Sequence, residues 1–160
     1  MNQSHKSRLV LLGLLALCFG VGAIGGTVTS SSVEGWYRTL DKPVITPPDW
    51  VFGPAWSILY GLMAIAAWRV WRAAGSIGDA PLTFALFGVQ LALNLNWSVL
   101  FFGSRAIGWA LADIAVLLIL IIATMAAFWR IDRLAGLLFL PYALWAGYAM
   151  LLNLAIWRLN

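Results

Sequence analysis

Charged residues divide the chain into five long apolar stretches. Residues 9–33, 50–68, 80–104 and 134–157 contain no Asp, Glu, Lys or Arg, and between Arg105 and Arg130 Asp113 alone interrupts the run. A helix needs about 20 predominantly apolar residues to cross the hydrocarbon of a bilayer, and each stretch is close to that length or longer. The pattern predicts an all-α protein, a bundle of five transmembrane helices over residues 9–29, 48–71, 82–102, 107–129 and 134–157, in a single domain of residues 1–160. The basic start with Lys6 and Arg8 also fits a cleaved signal peptide with a site near Ala23. The uncharged run continues to Val33, longer than a usual signal core, so a spanning helix is expected. Gly13, Gly20, Gly22, Gly25 and Gly26 would let another helix approach closely. No internal repeat is visible, and an odd number of spans disfavours a simple inverted-repeat transporter.

Between the first two spans the pattern changes. Trp36 to Trp56 holds four of the six prolines (Pro43, Pro47, Pro48 and Pro54) and three tryptophans. Its loop is longer than the usual 2–8 residues between bundle helices, so a structured lid over a pocket is expected. Thr46-Pro47-Pro48-Asp49 resembles a helix start, with Thr46 as N-cap, proline in the first turn and Asp49 at the positive end. Pro54 then falls inside the helix, where its missing N–H predicts a kink.

Composition agrees with a membrane protein. The chain is 62% hydrophobic and 10% charged, with mean hydropathy +0.89, against about 25% charged in soluble domains. A net charge of +4 would elsewhere suggest nucleic acid, but here the cations sit at segment ends, where they snorkel to the interface. Nucleic-acid binding is not expected; the lipid bilayer is the first partner. Lys6, Arg8, Arg69, Arg72, Arg130 and Arg133 fall on one side, and Arg38, Lys42, Arg105 and Arg158 on the other. The positive-inside rule then places the N-terminus in the cytoplasm and the lid outside. With one cysteine, Cys18, and one histidine, His5, neither an intrachain disulfide nor a protein-only metal site is expected. No phosphate loop, Ser–His pair or Cys–His pair is present, which argues against conventional hydrolase, kinase or metalloenzyme chemistry and leaves no cofactor to expect.

Seven of the ten tryptophans lie at or near segment ends and fit an interfacial belt. Trp56, Trp97 and Trp145 lie deeper, where an indole N–H needs a partner. Three such rings suit a flat aromatic ligand, and ordinary packing between helices accounts for them equally well. Gln90, Asn94 and Trp97 share one face of the third helix, while Asn96 points elsewhere. Amides in a membrane segment usually bond across helices, the reading favoured for Gln90; Asn94, beside Trp97, is a ligand candidate. Asp113 is either a ligand anchor or a paired residue that fixes packing. On the fifth helix Tyr142, Trp145, Ala149, Leu152 and Asn153 form a broad face after Pro141. Ala149 either leaves room for a ligand or marks a helix crossing.

Read together, these residues resemble the TspO/MBR family of tryptophan-rich sensory proteins. The resemblance runs from about Trp36 to Arg158. It rests on WY, KP and PP (Trp36, Tyr37, Lys42, Pro43, Pro47, Pro48), WVFGPAW with Tyr60, QLALNLNW and FFG, GWALAD, and PYALW with Asn153, Trp157 and Arg158. It implies a five-helix bundle, commonly a homodimer, in a bacterial cell membrane. The implied function is that of a receptor or sensor that binds porphyrins in a helix-bundle pocket and affects their transport or level. The implied ligand contacts are Tyr37, Pro47, Phe52, Trp56, Tyr60, Asn94, Trp97, Trp109, Trp145, Ala149 and Leu152. The pocket is expected between the second, third and fifth helices, with Trp56 and Trp145 as its main walls. The alternative is an enzyme that degrades porphyrin in light, with Trp56 and Trp145 as the catalytic pair. The last-helix sterol motif of animal members has a tyrosine where this chain has Leu154, which puts cholesterol in doubt.

Overall fold

The computed structural model describes residues 3–160. Helix α1 (Gln3–Val33) is followed by the short α2 (Trp36–Thr39), and a 3-10 turn (Asp49–Val51) leads into α3 (Phe52–Ala74). Then come α4 (Pro81–Ser98), continued by a π-helical turn (Val99–Gly103), α5 (Ile107–Ile131), α6 (Arg133–Leu138) and α7 (Leu140–Leu159). These form five spans long and apolar enough to cross a membrane, with α6 and α7 making up the fifth. Outward-facing Leu12, Ile58, Leu82, Ile119 and Leu144 are each more than half exposed. Such a surface would aggregate in water and is what lipid requires.

The spans pack in a ring. α1 lies against α3 and α4, α4 against α5, and α5 against α6 and α7, while α6 returns to α3. Alanines 64, 66 and 67 and Val70 of α3 are fully buried, which lets neighbouring helices come close. Beyond them Phe87 stacks on Phe128 at 6.0 Å, and Phe128 meets Phe139 edge-on at 5.0 Å.

Three local expectations change. Thr46 does not cap the second span: its hydroxyl donates to Pro43 O at 2.8 Å and closes a turn within the lid. Pro54 is the third residue of α3, after a 3-10 turn. First-turn N–H groups have no intrahelical partner, so the expected interior kink becomes a change of helix type. The fifth span is divided rather than continuous, because Pro141 has no N–H to give the preceding turn and Phe139 N–H bonds Gly136 O instead.

The lid is a built structure. Tyr37 is buried against Phe101 and Phe102, at 6.3 and 5.6 Å between ring centroids. Lys42 Nζ donates to Tyr37 O and Leu40 O at 2.8 and 3.2 Å. Three bonds tie the lid to α7 and the residue after it: Tyr148 Oη to Ile45 O (2.6 Å), Asp41 N to Asn160 Oδ1 (3.0 Å) and Asn160 Nδ2 to Asp41 O (3.0 Å).

Candidate functional site

A cavity of about 550 Å³ opens beneath the lid. It lies between α1, α3 and the end of α4, not between the second, third and fifth spans. The cause is a difference in side-chain bulk. On α1, Gly22, Ala23, Gly25 and Gly26 present almost no side chain. Between α3 and α7, by contrast, aromatic rings fill the gap. Trp56 meets Tyr142 at 6.2 Å and Trp145 at 6.4 Å, and Phe52 meets Trp145 at 6.0 Å, all edge to face.

The glycines of α1 divide by role. A Cβ on Gly22 would stand 2.5 Å from the Tyr60 ring, and one on Gly25 would stand 3.3 Å from Ser98 Oγ, so these two permit close approach. Gly13, Gly20 and Gly26 have nothing within 4 Å, so the expected helix contact is not made there. Gly26 borders the cavity and leaves it open.

The opposite walls are aromatic. Trp56 stacks on Tyr60 at 5.6 Å. Trp97 stacks on Phe101 at 5.5 Å and meets Phe102 edge-on at 5.9 Å. The π-helical turn makes this possible. Ser104 N–H reaches back to Val99 O, and the widened turn buries the consecutive Phe101 and Phe102 together. Ser32 on α1 closes the junction by donating to Phe102 O at 2.6 Å.

Behind the walls runs a polar belt. Tyr60 Oη donates to Asn94 Oδ1 at 2.5 Å, and Asn94 Nδ2 donates to Tyr142 Oη at 3.0 Å. Trp97 Nε1 donates to Asn153 Oδ1 at 3.1 Å, and Asn153 Nδ2 to Ile107 O at 2.9 Å. Two asparagines thus join α3, α4, α5 and α7 and hold Tyr60 and Trp97 in place. At the mouth Glu34 and Asp49 contribute carboxyl groups, and among the described residues no lysine or arginine lines the cavity. Burial, then the charge of Asp49 and that of Tyr148, pushes the Tyr37 phenol up to about 12. Tyr37 is therefore a neutral group at neutral pH.

A model of the TspO/MBR family matches residues 14–158. The chain belongs to the TspO/MBR family. It is 40% identical to the tryptophan-rich protein TspO of Chlorobaculum tepidum, over 98% of this chain and 99% of that protein. Identity to the tryptophan-rich sensory protein of Cereibacter sphaeroides is 42%, over 94% and 91% of the two chains. With the translocator protein of Homo sapiens it is 38%, over 86% and 85%. Family membership and five apolar spans together make this an integral membrane protein.

Of the positions that the TspO/MBR resemblance singles out, Tyr37, Phe52, Trp56, Tyr60 and Trp97 line the cavity. Asn94 is buried behind them with its amide committed to two tyrosines. Trp145 stands behind Trp56, and Pro47, Ala149 and Leu152 are also outside the lining. Trp109 is 75% exposed on the outer surface, so its place is with the interfacial belt. The α1 wall is absent from the expected set. Its glycines were a visible signal, but glycine serves both helix contact and open space, and sequence spacing does not separate the two.

Proposed function

We propose that this TspO/MBR protein is a membrane receptor or sensor that takes a porphyrin, or a similar flat hydrophobic molecule, into the cavity under the lid. The observation that carries the reading is the cavity itself, about 550 Å³ with glycine on one side and Trp56, Tyr60 and Trp97 on the other. Small-molecule sites typically span about 300–1,000 Å³, with apolar walls and a few polar groups. Ring-on-ring contact with a macrocycle adds roughly 0.5–1.5 kcal/mol per aromatic beyond area burial. The acidic mouth favours a ligand whose outer end is neutral or cationic, so a porphyrin dimethyl ester should bind at least as well as the free diacid.

Porphyrin titration of folded variants in detergent tests this. A Cβ on Gly26 meets nothing within 4 Å, so Gly26→Phe extends a ring into the open space and should weaken binding at least tenfold, whereas Trp129→Ala, at the far end of α5, should leave it within about twofold. Equal affinity of wild type and Gly26→Phe places the ligand elsewhere.

The edge-on contact of Trp56 with Trp145, continued by the stack on Tyr60, favours a second reading, light-dependent porphyrin degradation. Trp56→Phe keeps a ring in the wall and removes the oxidisable indole. Under this reading it retains binding and loses light-dependent bleaching; unchanged bleaching rejects it.

A homodimer through α4 and α5 is also proposed. Asn96 is exposed on the outer surface within a span, where it donates to Asp113 Oδ1 at 2.7 Å. Polar groups facing lipid are unfavourable, and a second copy would cover them. Sedimentation in detergent should show Asn96→Leu shifted toward monomer.

A further inference from the structure

We propose that the end of the bundle opposite the lid holds a specific site for an anionic phospholipid headgroup. A second cavity, of about 760 Å³, lies there between the start of α1 and the end of α3. Lys6 and Arg8 face it from α1, and Arg72 from α3. Two half-buried indoles organise these cations. The Arg72 guanidinium lies 4.8 Å from the centroid of Trp68, and Lys6 Nζ lies 5.8 Å from that of Trp71. Trp68 Nε1 in turn donates to Ser7 O and Oγ at 3.0 and 3.1 Å, which fixes α1 against α3 beside the cavity.

Among the described residues no carboxylate lines this cavity. Among the described residues the one ion pair is Arg69 with Asp132, at 2.8 Å, and neither lines the cavity. An acid stands at the rim: the Asp79 carboxylate approaches Gly75 and accepts a bond from Ser76 Oγ at 2.7 Å. Lys6, Arg8 and Arg72 are solvent-exposed, so water screens their mutual repulsion, and their convergence on one concavity gives it a positive potential that favours an anion. Basic pockets between membrane helices are suited to phosphate headgroups, and indoles favour the depth at which headgroup meets acyl chain. The surface beside the cavity continues as apolar side chains, with Leu9 and Leu12 of α1 58% and 62% exposed. That surface gives acyl chains a path and favours a lipid over free phosphate. A phosphatidylcholine headgroup would bring its own cation against Lys6 and Arg72, so the site selects net negative lipids.

The experiment counts lipid retained by the purified full chain, using native mass spectrometry from micelles doped with phosphatidylglycerol or phosphatidylcholine. The wild type should retain phosphatidylglycerol in clear preference. Lys6→Gln with Arg72→Gln should reduce that retention roughly tenfold or more, and Lys6→Gln with Arg8→Gln, which leaves Arg72 in place, should reduce it in the same direction. Arg105→Gln, at the lid end, should change nothing, and millimolar inorganic phosphate should not displace the lipid. The proposal is overturned by equal retention of the two lipids, by double variants that behave as wild type, or by an equal loss in Arg105→Gln. Displacement by inorganic phosphate also overturns it, by reassigning the cavity to a free anion.

Discussion

At the scale of single residues, the informative contrast is between two buried amides one turn apart. Asn94 is hydrogen-bonded through both ends of its amide, to Tyr60 and Tyr142. Gln90 is fully buried, yet among the described residues its Nε2 finds only the Met63 sulfur at 3.9 Å, and its Oε1 has no partner there. Removing one partner of a satisfied buried network strands the others, whereas replacing an unsatisfied group by an apolar one of similar shape can be neutral or better. Asn94→Ala should therefore lower stability by about 1–2 kcal/mol, the range of interhelical bonds in membranes plus stranded phenols. Gln90→Leu should match or exceed the wild type. Thermal unfolding in detergent decides, and a larger loss for Gln90→Leu than for Asn94→Ala would contradict this account. The shared buried face of Gln90, Asn94 and Trp97 was legible from their spacing. Their partners were not, because Tyr60, Tyr142 and Asn153 are brought there by other helices, and helical periodicity says nothing about which helix comes next.

At the scale of elements, helix number and approximate extent were readable from the placement of charges, and the ends were not. The cause is local chemistry at each end. The π-helical turn after Ser98 and the break at Phe139 arise from packing and from Pro141, and neither interrupts the apolar pattern. The junction of α5 and α6 shows how such an end is stabilised. Asp132 caps α6 by accepting from Ala135 N at 2.9 Å, and it pairs with Arg69 through bonds of 2.8 and 3.3 Å. Burial alone would raise its pKa, but the N–H groups of Ala135 and Leu134 and the Arg69 side chain outweigh it and hold the carboxyl below its ordinary 3.8. A carboxyl lowered in the folded state adds stability that is complete above the ordinary value and is lost as pH falls through the folded one. Asp132→Ala should lose a cap worth about 1 kcal/mol and an ion pair worth up to about 1 kcal/mol, the latter limited by partial exposure. Asp132→Asn keeps the cap and should lose less. The difference between wild type and Asp132→Ala should shrink when unfolding is measured at pH 3 instead of pH 7; a constant difference would show that the charge contributes nothing.

At the scale of the whole molecule, the spans form a ring in which the first span is a wall of the cavity, and that arrangement was not legible. Five apolar segments specify how many helices cross, whereas neighbour order depends on which faces fit, and the aromatic packing of α3 on α7 displaced the open space toward α1. The chain itself sets one global feature: α1 ends at Val33, so the lid lies at the opposite end of the bundle from Gln3. In a Cys18→Ala background, cysteines at Ser4 and Thr39 should label from opposite sides of a sealed vesicle. The lid also borders the cavity. It approaches the mouth through Tyr37, while its far half is tied to Tyr148, midway along α7, and to Asn160, just after its end. Those three bonds are at exposed positions and link residues more than 100 apart in sequence, so they close a long loop without contributing to the buried core. Exposed hydrogen bonds are individually worth about 0.5–1.5 kcal/mol, enough to bias an opening equilibrium and too little to unfold a bundle. Tyr148→Phe combined with Asn160→Ala should therefore leave the unfolding temperature nearly unchanged. Amide exchange across residues 41–46 should quicken by about tenfold, and a bound porphyrin should leave faster in proportion. Exchange at Tyr37, held by the Phe101 and Phe102 rings, should change much less. If ligand release quickens while exchange across 41–46 stays at its wild-type rate, the ligand leaves by another path, sideways between α1 and α3, and the lid is a fixed cap.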